Sequence, residues 1–176
     1  MLGLAQALRD PQRWRKWAGE AFILVAIVTA VTLWQNRGLP EGAAPPLVGV
    51  RTDGSIVKVG VGETASLVVF WATWCPVCKA EESNIVAIAE DWPVLSVAMQ
   101  SGDTTAVSQH LRSRGIALPT VVDDTGAIAA AWRVRSVPAH FIIDSAGNVR
   151  FRVVGYATTW GLRARLWWAE HFSLSQ

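Results

Sequence analysis

The sequence predicts a three-layer α/β/α sandwich with a mixed central sheet, preceded by one N-terminal transmembrane helix. Two observations predict the sandwich. From residue 66 onward, apolar strand-like segments alternate with segments of helical periodicity, and the chain closes with two strands, joined by a turn at residues 145–148, and a last helix. An uncharged, mainly apolar run at residues 21–36 predicts the transmembrane helix.

The N-terminal segment is interpreted as a signal anchor. Three arginines and a lysine lie between residues 9 and 16, and the 16 uncharged residues that follow at 21–36 would extend about 24 Å as a helix. The basic cluster predicts that residues 1–17 stay in the cytoplasm, that residues 18–36 form a single-pass anchor in the inner membrane, and that the rest is exported to the periplasm. A cleaved signal peptide is the alternative, but no small-x-small site directly follows the run.

The next segment is rich in proline and glycine and predicts a linker over residues 37–46, so the domain is expected at residues 47–176. Its first elements should be a hairpin, with strands at residues 47–50 and 55–59, and then a buried strand at residues 66–71.

The later elements are predicted from periodicity and turn residues. Helices are expected at about 76–91, 103–114, 127–132 and 158–172, and strands at 94–99, 120–122, 139–144 and 149–153. On the first helix Cys78, Glu81 and Ile85 recur at spacings of three and four and should face the sheet, whereas Glu82 should face solvent. His110, on the second helix, is expected to be exposed.

Cys75 and Cys78 are the two cysteines of the chain, and they lie where the strand at residues 66–71 passes into a helix. Pro76 suits a first helical turn because it lacks the N–H that this position leaves unpaired. The positive end of the helix dipole favours a thiolate at Cys75, which should therefore be the attacking sulfur. Cys78, one turn further on, suits a resolving thiol that closes a short redox-active disulfide with Cys75.

Other uses of a Cys-x-x-Cys pair fit the sequence less well. A zinc site needs two more ligands, and the three histidines are scattered. Covalent haem needs a histidine directly after Cys78, where Lys79 stands. A purely structural disulfide would constrain little of the unfolded chain across so short a loop. No metal and no cofactor are therefore expected, and the net charge of +2, with dispersed basic residues, indicates no nucleic-acid partner.

Two motifs together resemble the thioredoxin fold. Residues 70–75 resemble its active-site strand, and residues 134–144 resemble the loop and strand that face the active site. The resemblance covers about residues 45–172 and is strongest to the membrane-tethered TlpA, ResA and cytochrome c maturation branch, with the suppressor-of-copper-sensitivity protein D group nearest. It implies a cis peptide bond before Pro138 and a Val137 backbone that pairs with substrate beside Cys75, with Trp74 also in the substrate site.

One departure from thioredoxin concerns the proton acceptor for Cys78. Thioredoxin carries a buried aspartate where this chain has Val69, whereas exported relatives carry a glutamate three residues after the second cysteine, which matches Glu81. A carboxylate on the buried helix face could exchange a proton with Cys78. The alternative is that Glu81 is only an acidic residue in the first turns of the helix, favoured there by the helix dipole. Both interpretations of Glu81 stay open.

The sequence thus predicts an exported thiol:disulfide oxidoreductase acting on protein disulfides, with Cys75, Cys78 and Glu81 as catalytic residues. The uncharged Pro76-Val77 interior favours a reductant supplied with electrons by a DsbD-type membrane carrier. A DsbA-like oxidase is one alternative. The other is a Cu(I) carrier that uses the two thiolates, with His140 as an optional third ligand, since soft thiolates select Cu(I).

Overall fold

The computed structural model describes residues 11–59 and 62–172. The chain divides into two compact units between Arg37 and Gly38. In the first unit, α1 spans Pro11–Asn36. Within the described ranges, no helix combines the length and apolar character that crossing a membrane requires. The anchor predicted over residues 18–36 therefore stays a prediction, and residues 1–10 of the predicted cytoplasmic segment lie outside the described residues.

The second unit contains a six-stranded mixed sheet in the order β1-β8-β7-β4-β5-β6 and a separate hairpin of β2 and β3. The strands β4, β5 and β6 are parallel, and β7, β8 and β1 add antiparallel pairs on the other side of β4. The strands are β1 Gly42–Ala43, β2 Leu47–Val50, β3 Ile56–Val59, β4 Ser66–Trp71, β5 Val94–Met99, β6 Thr120–Asp123, β7 Ala139–Ile143 and β8 Asn148–Val154. The helices of this unit are α2 Pro76–Ala89, α3 Thr104–Ser113, α4 Ala127–Ala131 and α5 Thr159–His171.

The central strand β4 divides the core in two because its side chains alternate between the faces of the sheet. Leu67 and Val69 pack into one cluster with buried residues of α2 and α5. Val68 and Phe70 pack into the other cluster, which includes Trp132. Each predicted element of this unit is present within a few residues of its predicted bounds, and the two clusters hold the sheet between helices on both faces.

The segment predicted as a linker is more ordered than the sequence suggests. The compact unit begins at Gly38 rather than at residue 47, and β1 pairs with β8. Leu39 is buried in the core, and Arg152 donates to its carbonyl oxygen at 3.2 Å. The outer edge of β8 would otherwise present unpaired backbone groups, and β1 covers part of it. A prediction from local composition does not include this distant partner.

Candidate active site around Cys75 and Cys78

Both cysteines lie at the end of β4 and the start of α2, as the sequence predicts. Cys75 is the N-cap of α2, and the backbone N–H of Cys78 donates to the Cys75 Sγ at 3.1 Å. The two residues are joined by a disulfide, and both are about 95% buried. The first-turn N–H and the positive end of the helix dipole therefore face the sulfur that the sequence predicts to be the attacking one.

The loop before β7 lies directly against this disulfide. The peptide bond between Val137 and Pro138 is cis, the isomer that the resemblance implies. The carbonyl oxygen of Val137 lies 3.6 Å from the Cys75 Sγ, and Val137 packs against the buried cluster of Ala72, Cys75 and Cys78. The register explains this approach, since Phe70 at the end of β4 pairs with Ala139 at the start of β7.

Trp74 lies beside the cysteines with 58% of its surface exposed. Its indole N–H donates to the backbone oxygen of Gln100 at 3.1 Å, and the N–H of Thr73 donates to the Ser101 hydroxyl at 3.0 Å. The carboxyl ends of the parallel strands β4 and β5 meet at one edge of the sheet, which is why these residues are close. Sequence reasoning missed Gln100 and Ser101, although their position directly after a predicted strand was a usable signal.

Glu81 faces inward, as its helical spacing predicts, and is 1% exposed. Its Oε1 accepts a hydrogen bond from the Ala157 N–H at 2.6 Å, and its Oε2 lies 3.1 Å from the His140 Nε2. His140 is fully buried on β7, and its Nδ1 lies 3.1 Å from the Val153 carbonyl oxygen. Both ring nitrogens of His140 thus face groups other than the cysteines, which speaks against His140 as a third copper ligand.

Two expectations about the next helical positions are wrong. Glu82 does not point freely into solvent, because it pairs with Arg114 at 2.6 Å and lies 3.6 Å from His110. His110 is half-buried rather than exposed, and its ring lies over Trp71 with 5.5 Å between the ring centroids. The packing of α3 beside α2 places these side chains together. Helical periodicity within one segment cannot predict such contacts between two helices.

A cavity of about 30 Å³ lies under the disulfide. Cys78, Glu81 and Pro138 line it together with apolar side chains of the sheet and of α2 and α3. Cys78 and Glu81 therefore face a common space. Among the described residues, no group of three or more histidine, cysteine, aspartate or glutamate side chains is arranged to hold a metal ion.

Known structures share this fold. StoA of Bacillus subtilis superposes with a TM-score of 0.61 at 18% identity, covering 70% of this chain and 98% of StoA. A thiol:disulfide interchange protein of the thioredoxin family from Chlorobium tepidum superposes with a TM-score of 0.64 at 24% identity, covering 74% of this chain and 97% of its own. At these identities the likeness shows the fold alone, a thioredoxin-like α/β fold with a mixed sheet.

Sequence relatives carry related names. A thioredoxin-like protein of Haemophilus influenzae is 33% identical over 108 residues, which are 61% of this chain and 64% of the relative. A thiol:disulfide interchange protein DsbE homolog of Paracoccus denitrificans is 32% identical over 105 residues, which are 59% of this chain and 56% of the relative. The chain therefore spans less than two thirds of the length of these two relatives.

The sequence pattern of the AhpC/TSA family matches residues 43–152. The matched stretch runs from β1 to β8 and includes both cysteines and the cis-proline loop that faces them. Because the match covers more than half of the chain and contains the whole candidate site on the expected fold, the chain belongs to the AhpC/TSA family.

Proposed function

We propose that this protein is a thiol:disulfide oxidoreductase that acts on protein disulfides, with Cys75 as the attacking sulfur and Cys78 as the resolving one. The observation that carries the proposal is the position of the Cys75 Sγ, which caps α2 and accepts the Cys78 N–H at 3.1 Å. This donor and the helix dipole stabilise a thiolate at Cys75 once the disulfide is reduced. The names of the sequence relatives support the same chemistry.

In the reducing direction, the Cys75 thiolate attacks one sulfur of a substrate disulfide. The substrate S–S bond breaks, a mixed disulfide forms, and the first substrate sulfur leaves as a thiolate that takes a proton from water. Cys78 then loses its proton and attacks the Cys75 Sγ. The second substrate sulfur leaves, and the Cys75–Cys78 disulfide forms, so two electrons have passed to the substrate. Glu81, on the same buried helix face, is the proposed acceptor of the Cys78 proton.

The surface around Cys75 suits an extended peptide substrate. Trp74 and Val77 are 58% and 42% exposed and provide apolar contact on the side of α2. Val137 provides backbone groups on the opposite side, and its carbonyl oxygen is already 3.6 Å from the Cys75 Sγ. A substrate strand that pairs with the Val137 backbone would bring its disulfide to Cys75, with specificity coming from neighbouring side chains.

The direction of electron flow is proposed to be reductive, with electrons from a DsbD-type carrier in the inner membrane. Pro76 and Val77 add no charge or donor side chain that would stabilise the reduced form further.

The protein is proposed to be anchored in the inner membrane by residues 18–36, with its second unit in the periplasm, in the manner of the suppressor-of-copper-sensitivity protein D group. The basic cluster at residues 9–16 supports this orientation. The anchor itself is supported by three apolar side chains that are more than half exposed, those of Phe22, Ile23 and Leu24.

The experiment is a comparison of two variants on a non-reducing gel. Cys78→Ala should accumulate mixed disulfides with substrate proteins because the resolving thiol is missing, whereas Cys75→Ala should not. The matched control is the double variant, which should show no adducts. If Cys75→Ala gives the same adducts as Cys78→Ala, the assigned roles of the two cysteines are wrong.

The alternative function, a Cu(I) carrier, is addressed by a separate test on the purified protein. Native mass spectrometry after treatment with a chelator distinguishes the two functions, since a carrier retains stoichiometric copper on its thiolates. An oxidoreductase should show only the mass difference of two hydrogen atoms between the dithiol and the disulfide.

A further inference from the structure

The last helix, α5, carries aromatic side chains on the face that points away from the domain. Its inward face packs into the core through three buried residues, Leu162, Leu166 and Ala169. Four positions on the opposite side recur at spacings of three and four, and all of them are exposed: Trp160, Ala164, Trp167 and His171. These four residues are called the outer stripe. A surface helix normally presents charged side chains on this side, and the outer stripe contains no aspartate, glutamate, lysine or arginine.

More aromatic surface adjoins the outer stripe at the C-terminal end of α5. Trp168 and Phe172 are each about half exposed, and their ring centroids lie 4.4 Å apart in a stacked arrangement. Trp167 contacts Phe172 edge-on at 5.8 Å and stacks with His171 at 4.7 Å. Together with the outer stripe, Trp168 and Phe172 form a continuous exposed surface, called here the aromatic patch. Apolar side chains that are exposed singly need no explanation, whereas a patch of this kind marks an interaction surface.

The aromatic patch borders on arginine side chains where α5 faces β8. Two open grooves lie there, and both are lined by Phe151 and Trp168, one with Arg165 and the other with Arg150. The Nη1 of Arg165 donates to the Gly161 carbonyl oxygen at 2.7 Å. No carboxylate in the described part of the chain forms an ion pair with Arg165. A guanidinium beside exposed aromatic rings is therefore available to an anionic group of a partner.

The carboxylates around the patch are held by other groups. Three of them have partners there: Asp91 pairs with Arg163, Asp144 pairs with Arg150, and Glu170 accepts from the Trp92 indole N–H. Arg163, Asp91 and Glu170 contact α2 or the turn that follows it, so they lie on the side of α5 away from the grooves. The groove side of the patch thus combines aromatic surface with positive charge.

The size of the patch argues against a second copy of this chain as its occupant. At about 250 Å² for a fully exposed tryptophan, the exposed fractions of the tryptophan and phenylalanine side chains of the patch amount to roughly 550 Å². A stable dimer buries about 800 Å² on each partner. A lipid surface needs no complementary shape, and it takes up aromatic rings and arginine side chains at the same depth.

We propose that the aromatic patch docks on the surface of a phospholipid bilayer, with its rings at the level of the headgroups and Arg165 at the lipid phosphates. Tryptophan suits this depth because its ring is apolar and its N–H is polar. Arginine suits it because the stem lies along apolar surface while the charged head reaches the phosphates. The proposal goes beyond thiol:disulfide exchange and uses none of the residues assigned to that chemistry.

The position of α5 in the fold relates this surface to the cysteines. The Gly155 N–H donates to the Pro138 carbonyl oxygen at 2.9 Å, and Thr158 caps α5 three residues later. The helix therefore begins at the edge of the sheet that carries the cysteines and leads away from it for about 20 Å. A bilayer that covers α5 lies along the side of the domain and leaves the edge at Cys75 open. Docking thus holds Cys75 beside the membrane surface, within reach of a membrane-bound electron carrier.

The test measures the depth of a spin label in the full chain, reconstituted in vesicles of phosphatidylethanolamine and phosphatidylglycerol. Cys75→Ser and Cys78→Ser remove the native thiols, and a nitroxide is attached through Ala164→Cys in the middle of the outer stripe. Oxygen concentrates in the bilayer and a nickel chelate stays in water, so the ratio of their collision rates with the label reports depth. The matched control is Ile56→Cys, an apolar position on β3 that is 77% exposed. The ratio of oxygen to nickel collisions should be higher at position 164 than at position 56.

Two results at position 164 would overturn the proposal. Equal ratios at positions 164 and 56 would show that water, not lipid, covers α5. Exclusion of both reagents, together with dipolar broadening between labels, would show that a second copy covers it. The double substitution Trp160→Ser and Trp167→Ser should return the label to water, and circular dichroism checks that the domain stays folded. An unchanged depth in that variant would refute the role of the aromatic rings.

Flotation of the vesicles separates this proposal from the others. A chain that floats with the vesicles but keeps position 164 in water refutes docking and leaves the anchor at residues 18–36 intact. A chain that stays off the vesicles refutes docking as well. Failure of the proposed function is seen separately, as a loss of disulfide exchange by the unlabelled protein with both cysteines in place.

Discussion

Glu81→Gln separates the chemical role of Glu81 from its structural role. In the unaltered protein the Glu81 Oε1 accepts from the Ala157 N–H at 2.6 Å, and its Oε2 lies 3.1 Å from the His140 Nε2. The Gln side chain keeps an oxygen for the Ala157 N–H, and its amide N–H can donate to the His140 Nε2. The change only turns a charge-assisted hydrogen bond into a neutral one. A hydrogen bond to a charged group is worth about 1.5–3 kcal/mol, and a neutral one is worth about 0.5–1.5 kcal/mol. The free energy of unfolding should therefore fall by about 1 kcal/mol.

Glu81→Leu is the matched comparison, since it fills the same space without polar atoms. It leaves the Ala157 N–H without an acceptor and removes the carboxyl oxygen that lies 3.1 Å from the His140 Nε2. A buried unsatisfied group costs about 1–3 kcal/mol, so the loss should be about 2 kcal/mol. Urea unfolding followed by circular dichroism measures both variants, and the midpoint of Glu81→Leu should lie well below that of Glu81→Gln.

The kinetic readout is the release of product from the mixed disulfide across pH. Glu81→Gln should slow this step by about 100-fold, the low end of what general base catalysis contributes, although the domain stays folded. An unchanged rate and pH profile would show that Glu81 is only structural. Destabilisation of Glu81→Gln as large as that of Glu81→Leu would refute the hydrogen-bond accounting instead.

Two further predictions concern the membrane segment and the redox couple. Fractionation with a carbonate wash should leave the full chain in the inner membrane through residues 18–36, whereas a soluble protein that begins after about residue 30 would show a cleaved signal. The midpoint potential should lie nearer to that of thioredoxin, about −270 mV, than to that of DsbA, about −120 mV, because Pro76 and Val77 do not stabilise the thiolate. A potential above about −150 mV, with fully oxidised protein in growing cells, would place the protein with the oxidases.

The sequence by itself determined the order of elements and the chemistry of the two cysteines. Strand alternation and helical spacing are local properties, so β4, α2 and the inward face that carries Glu81 could be predicted from single segments. The N-cap position of Cys75 follows from Pro76 and the preceding apolar strand for the same reason.

The tertiary structure decided what these residues contact. Glu81 acquires its partners from residues 59 and 76 positions further along the chain, His140 and Ala157. The pairing of Val69 with His140 depends on the register of β4 and β7, which no local pattern specifies. The same holds for β1, which forms because β8 offers an open edge. Local propensity acts within a few residues, whereas proton exchange at this site depends on groups that only the folded sheet brings together.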